Sequence, residues 1–219
     1  MSIKDLEKKL GYYFNDISLL ELALIHKSSN NSSNNERLEY LGDSILTGVI
    51  SEYLFLKFPD EKEGKLTRMR SFLVKGETLT KKANELDLVM FIKLSKGTAN
   101  LSENRKYSIL EGSIESVIGA IFLDNGWDKA KSFILEIFSK ELSELGSDQE
   151  FRDSKTELQE LLQSKKLKPP TYISKESHNG FNCEVELDKN IFTATGNSKR
   201  QAEIAAAKKA LIHLKLENA

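Results

Sequence analysis

Up to about residue 145, apolar residues recur three and four apart, as in Leu20-Ala23-Leu24, Leu38-Leu41-Ile45-Val49 and Ile114-Val117-Ile118-Ile121. That spacing lines one face of an α-helix. No segment of this stretch alternates as a half-buried strand would. Gly, Asn, Ser and Pro punctuate it at Ser28 to Asn35, at Phe58-Pro59-Asp60 and at Lys96 to Asn104, which predicts roughly five to seven helices. The polar segment Gly146-Ser147-Asp148-Gln149 reads as a linker. Beyond it the rhythm changes. A helix is expected at about 153–164 and is stopped by Pro169-Pro170; Phe181-Asn182-Cys183-Glu184-Val185-Glu186-Leu187 then places an apolar residue at every second position, as a strand with one buried face requires. A second strand around Ile191 to Thr195 pairs with it across Asp188-Lys189-Asn190. Ser198 with Gln201 offers a capping-box start for a long Ala-rich helix.

Composition narrows the class. A chain of 219 residues with 39% hydrophobic and 30% charged residues has material for two packed cores and stands apart from disordered compositions. No run of about 18 apolar residues occurs, which argues against a membrane helix. Met1-Ser2-Ile3-Lys4-Asp5-Leu6-Glu7 carries charge where a signal peptide needs apolar residues, so a cytoplasmic protein without membrane partners is expected. The single cysteine, Cys183, excludes an internal disulfide and reads as a small buried hydrophobe in its strand. A net charge of −1 hides an asymmetry: residues 151–219 hold 12 Lys+Arg and 9 Asp+Glu, a net of +3, against 20 and 24, a net of −4, in residues 1–150. A basic module follows an acidic one, although small imbalances of this kind also arise by chance.

The chemistry concentrates in Asn35-Glu36-Arg37-Leu38-Glu39-Tyr40-Leu41-Gly42-Asp43-Ser44. At about 100° of turn per residue, Glu36, Glu39 and Asp43 fall within an arc of roughly 60°, while Leu38, Leu41, Ile45 and Val49 gather on the opposite side. Like charges three and four apart cost a helix a few tenths of a kcal/mol, roughly, per pair. A hard divalent cation gives such a stripe a purpose, because Mg²⁺ prefers carboxylate oxygens and a pair of such ions can activate water against a phosphodiester. Taken alone, an acidic stripe is more often a solvated face.

The ten residues from Asn35 to Ser44 resemble the signature of the ribonuclease III family almost letter for letter. Further family pieces stand at Ile25-His26-Lys27-Ser28, at Glu63-Gly64-Lys65-Leu66-Thr67-Arg68-Met69-Arg70 and at Ile118-Gly119-Ala120-Ile121-Phe122-Leu123-Asp124. The resemblance implies a homodimer of helical domains that cuts double-stranded RNA with Mg²⁺, Mn²⁺ being able to substitute, and that processes ribosomal and messenger precursors. It places metal ligands on Glu39 and Asp43 and, from a later helix that usually reads Asp-x-x-Glu, on Glu115; Asp43 and Glu115 carry the catalytic role. The usual Asp position is Gly112, a departure that is expected to weaken metal binding, with water filling the gap. Glu111 is adjacent but lies roughly 40° to one side of Glu115 on the helical wheel, whereas Gly112 lies roughly 60° to the other. It is a poor geometric stand-in. Glu36 and Glu63 match acidic family positions that support the cleft.

The C-terminal segment resembles a double-stranded-RNA-binding domain through Lys155-Thr156-Glu157-Leu158-Gln159-Glu160, Pro170-Thr171-Tyr172 and Gly196-Asn197-Ser198-Lys199-Arg200-Gln201-Ala202-Glu203. Such a module reads an A-form duplex by shape, through 2′-hydroxyls and phosphates. Lys199 and Arg200 at a helix N-terminus are its expected phosphate contacts, with Ser198 beside them in the RNA-binding set, and Thr156, Gln159, Gln163 and His178 are its expected minor-groove contacts. The expected architecture is an all-α domain at 1–145, a linker at 146–152 and an α-β-β-β-α domain at 153–219. An endonuclease is the favoured reading; a duplex-binding protein of the same build with a weakened or inert cleft is the alternative that Gly112 leaves open.

Overall fold

The computed structural model describes residues 2–29, 32–95, 103–146, 154–177, 180–187 and 190–216. The chain divides into two compact units, Met1–Gln149 and Glu150–Ala219.

The described residues of the first unit form α1 (Ile3–Leu10), α2 (Ile17–Ala23), α3 (Glu36–Lys57), α4 (Glu63–Leu73), α5 (Gly76–Glu85), a 3₁₀ turn (Leu88–Met90), α6 (Glu103–Ile137) and α7 (Ser139–Ser143). Seven α-helices is the upper end of the sequence expectation. One parallel bridge, Ile25 to Lys93, is the sole strand-like pairing among the described residues of this unit. The core centres on α3 and α6, where Leu38, Ile45, Leu46, Val49 and Ile50 meet Ile114, Val117, Ile118 and Ile121, all buried. Burying each such side chain contributes about 1.5–3 kcal/mol.

Two glycines set how closely these helices cross. A Cβ on Gly42 would lie 1.8 Å from the backbone oxygen of Glu115, and one on Gly119 would lie 2.4 Å from the backbone oxygen of Leu38 and 3.2 Å from the Gly42 nitrogen. Backbone therefore rests on backbone, and the helical wheel misplaces the seam by one residue. It puts Leu41 on the buried face; the structure buries Gly42 and leaves Leu41 half-buried.

The helix α6 is broken at Asn125 (φ −149°, ψ 16°) and Gly126 (φ 75°, ψ −170°), the second of which has a positive φ that glycine adopts at little cost. Asp124, just before the break, accepts hydrogen bonds from the Tyr12 hydroxyl (2.6 Å) and from the backbone N–H groups of Asn15 (3.0 Å) and Asp16 (2.8 Å). Burial alone would raise its pKa, but these donors outweigh burial and hold it below the usual carboxylate range. The last residue of the Ile118–Asp124 motif thus fastens the α1–α2 connection to α6.

The second unit is α8 (Ser154–Ser164), β1 (Thr171–Ser177), β2 (Gly180–Leu187), β3 (Asn190–Gly196) and α9 (Lys199–Leu216), the expected α-β-β-β-α order. The strands form one antiparallel sheet in the order β1-β2-β3, with Cys183 opposite Ala194 and Val185 opposite Phe192. The alternation read from 181–187 is realised: Cys183, Val185 and Leu187 are buried against Leu158 and Leu162 of α8 and the alanine face of α9. Cys183 is a free, buried thiol. Lys155 is taken up by the fold, reaching Glu203 of α9 at 2.7 Å while lying 4.6 Å from the centre of the Tyr172 ring.

Candidate active site and nucleic-acid interface

Asn35 fixes the start of α3. Its N–H donates to the Ile25 carbonyl (2.8 Å), and its own carbonyl accepts from the Glu39 N–H (2.9 Å) and from the buried Ser116 hydroxyl of α6 (3.3 Å). With the helix start tied to α6 and the crossing closed by Gly42, the acidic face of α3 stands opposite Glu115. Glu36, Glu39, Asp43 and Glu115, with Tyr40, line a cavity of about 320 Å³. The structure therefore brings together the three carboxylates expected to bind metal and one of the accessory acids.

These groups disturb one another electrostatically. Burial raises the pKa of Glu115 to about 8, with Asp43, Glu111 and Glu39 adding to the rise in that order. Burial likewise raises Glu39; Lys27 opposes it, while Glu36, Glu111 and Asp43 reinforce it. Glu111 is raised by burial and then by Asp43. Lys27 meets Glu36 at 3.1 Å, but both side chains are exposed, and a pair of that kind contributes about 0–1 kcal/mol. The cluster holds more negative charge than its neighbours offset.

Glu111 belongs to this electrostatic cluster yet turns toward α5: a Cβ on Gly76, the first residue of that helix, would lie 2.8 Å from either Glu111 carboxylate oxygen. Glu63 stands apart from the cavity lining, exposed on α4 and accepting a hydrogen bond from the Thr67 hydroxyl at 2.9 Å. Sequence reasoning gave no role to Tyr40, which is 78% exposed at the cavity edge, nor to Gly42 and Gly119, which position the acids. Glycines inside a strong helical pattern were the available signal, since each costs a helix about 1 kcal/mol relative to Ala unless packing requires it.

In the second unit Thr156, Gln159 and Gln163 lie exposed on α8, on the side away from the buried Leu158 and Leu162. The α9 start takes half of the expected capping box: the Ser198 hydroxyl accepts from the Gln201 N–H (3.3 Å), while the Gln201 side chain accepts from the Asn197 N–H (3.2 Å), one residue before the N-cap. Gly196 allows the chain to turn back tightly here, since a Cβ on it would lie 2.5 Å from the Ala202 nitrogen. Ser198, Lys199 and Arg200 are consequently presented, all exposed, at the N-terminus of α9. His178 lies outside the described residues.

Residues 16–142 match the model of the ribonuclease-III-like family, and residues 154–214 match that of the double-stranded RNA binding motif. The chain belongs to the ribonuclease III family. It is 44% identical over 213 residues to ribonuclease 3 of Marinomonas sp. strain MWYL1, covering 94% of this chain and 93% of that relative. It is 43% identical to ribonuclease 3 of Vibrio parahaemolyticus, covering 97% of each. Two solved structures of the nuclease domain of ribonuclease III from Campylobacter jejuni are similar to it. One has a TM-score of 0.62 at 43% identity, covering 66% of this chain and 99% of that chain. The other, which concerns flexibility in a region involved in dimer formation, has a TM-score of 0.61 at 45% identity, covering 64% of this chain and 97% of that chain.

Ribonuclease III enzymes are metal-dependent nucleases, and the donor set of this chain fits a hard divalent cation. All the candidate ligands are carboxylate oxygens, and burial, reinforced by the charges of Asp43, Glu111 and Glu39, raises the Glu115 pKa to about 8, a penalty that a bound cation would offset. Among the described residues no three acids stand close enough to grip one ion together. Mg²⁺ tolerates this, since it keeps several waters and needs only one or two direct carboxylates. No described helix is long and apolar enough to cross a membrane.

Proposed function

We propose that this ribonuclease III chain cuts double-stranded RNA in the cytoplasm as a homodimer, using Mg²⁺ or, in its place, Mn²⁺ held by Glu39, Asp43 and Glu115. The observation that carries the reading is the cavity of about 320 Å³ with carboxylates of α3 on one side and Glu115 of α6 on the other. A divalent ion there supplies a metal-activated water and charge for the leaving oxygen of the phosphodiester. Asp43 and Glu115 would hold and orient it directly, Glu39 would complete the oxygen set through a water that the ion keeps, and Glu36 with Glu111 would deepen the negative field. The exposed Tyr40 ring at the cavity rim supports pairing with a second copy across this face. The second unit holds the duplex through Thr156, Gln159, Gln163 and His178 in the minor groove and through Ser198, Lys199 and Arg200 on phosphate. Ribosomal and messenger precursors with long paired stems are the expected substrates.

Purified full-length chain incubated with a long RNA duplex tests this. Mg²⁺-dependent fragmentation, absent in EDTA and absent with single-stranded RNA, is expected. A duplex that is bound but left whole at every Mg²⁺ concentration would instead identify a duplex-binding protein with an inert cleft. Replacing Lys199 and Arg200 together with Ala is expected to weaken binding to all duplex sequences alike and to flatten the salt dependence, because each phosphate contact releases counterions. Binding titrations from 50 to 200 mM salt, about the range over which such contacts are felt, measure both effects. Weakening confined to particular sequences would count against a phosphate role.

A further inference from the structure

Gly112 stands where the family pattern has an acid, and a sequence read alone treats it as a hole. The structure fills that hole. The three atoms nearest to a Cβ on Gly112 all belong to Glu39: Oε2 at 2.6 Å, Cδ at 2.7 Å and Oε1 at 3.0 Å. At Gly42 and Gly119 the corresponding neighbours are backbone; at Gly112 they are the far end of one side chain. The Glu39 carboxylate therefore lies on the bare backbone of α6. A second contact fixes this register. The Ser116 hydroxyl donates to the Gly112 carbonyl (2.7 Å) and to the Asn35 carbonyl (3.3 Å), the same Asn35 oxygen that accepts from the Glu39 N–H at 2.9 Å. One buried serine thus ties the turn that contains Gly112 to the turn that contains Glu39.

We infer that Gly112 is a positioning residue, the seat on which the Glu39 carboxylate rests and from which it faces the cavity, and that the centre depends on the smallness of residue 112. The inference rests on the reading of Glu39, Asp43 and Glu115 as ligands and deepens it. A lost-ligand account and a seat account part company at alanine. Neither Gly nor Ala donates to a metal, so a mere gap is indifferent to Gly112→Ala. A seat is not, because the added methyl drives the Glu39 carboxylate off α6.

Mn²⁺ binding to the full chain without RNA, followed by titration calorimetry, provides the readout. Gly112→Ala is expected to weaken Mn²⁺ binding by about tenfold, the scale on which residues that orient ligands act. Its melting temperature in EDTA should not fall, because Ala is the better helix former and the displaced group is a flexible carboxylate. In a Glu39→Gln background the further change Gly112→Ala should alter Mn²⁺ affinity by less than about twofold, since both substitutions then act on the same oxygen set. Unchanged affinity in Gly112→Ala, an undiminished effect of Gly112→Ala in the Glu39→Gln background, or a large loss of melting temperature in EDTA would each overturn the seat. If the unsubstituted chain neither binds Mn²⁺ nor cuts duplex, the functional reading itself falls, and the seat falls with it. If it does both and Gly112→Ala matches it, the seat alone is lost.

Discussion

Gly42→Ala is expected to destabilise the nuclease unit by about 3 kcal/mol, the upper part of the range for overpacking a close contact. In an ordinary exposed helix the same change stabilises by about 1 kcal/mol, because glycine gives up more backbone freedom on folding. The sign reverses here because the new methyl would sit 1.8 Å from the Glu115 carbonyl oxygen, and neither partner is a flexible side chain. The helices α3 and α6 must part, which opens the core around Ile45 and Ile118 and moves Glu115 away from Glu39 and Asp43. Urea unfolding curves measure the loss, and Gly64→Ala is the control. Gly64 lies near the start of α4, where a Cβ would come no closer than 3.6 Å to the end of Arg68, so that substitution should raise stability or leave it unchanged. A Gly42→Ala midpoint equal to that of the unsubstituted chain would refute the backbone-on-backbone crossing.

What could be read from the sequence was whatever period and local chemistry dictate. The acidic stripe of α3 follows from helical spacing, and the buried Cys183, Val185 and Leu187 follow from alternation. The start of α9 follows from Ser198, whose hydroxyl accepts from the Gln201 N–H, although the Gln201 side chain reaches back to the Asn197 N–H, one residue before the expected Ser198 N–H. The seam between α3 and α6 was not legible in the same way. A helical wheel ranks side chains, and at Gly42 and Gly119 the contact is made by having none. The break in α6 was written as Asn125-Gly126, but it lies between apolar runs that each fit a helix, and only the backbone angles show the interruption. At Gly112 the sequence shows a functional group that is missing. It cannot show that Glu39, seventy-three residues earlier, uses the space. Glu63 matched by letter but is not among the residues that line the cavity, and its carboxylate accepts from Thr67 one turn further along α4.

Glu115→Gln is expected to reduce Mg²⁺-dependent cleavage by more than about a hundredfold, beyond what loss of a residue that merely orients a ligand brings. An amide is a weaker ligand for a hard cation than a carboxylate. Duplex binding should stay nearly intact, since the phosphate contacts assigned to the second unit are untouched. The same substitution is expected to raise stability when metal is withheld. The Glu115 pKa is pushed from 4.5 to about 8 in the folded protein, first by burial and then by Asp43, Glu111 and Glu39. Between those values the folded chain retains a proton that the unfolded chain has released, so stability falls as pH rises through this window and the full penalty is present above about pH 8. Gln cannot ionise and escapes it. In EDTA, Glu115→Gln should therefore melt above the unsubstituted chain at pH 8.5, by roughly 2–4 °C for each kcal/mol relieved, with the gap closing toward pH 5. Excess Mg²⁺ should narrow the gap from the other side by binding the folded, unsubstituted chain. A Glu115→Gln protein that still cuts duplex within tenfold of the original rate, or that melts at the same temperature as the original at pH 8.5 in EDTA, would remove Glu115 from the centre. An equal loss of binding and cleavage would show that the two units do not divide the work as assigned.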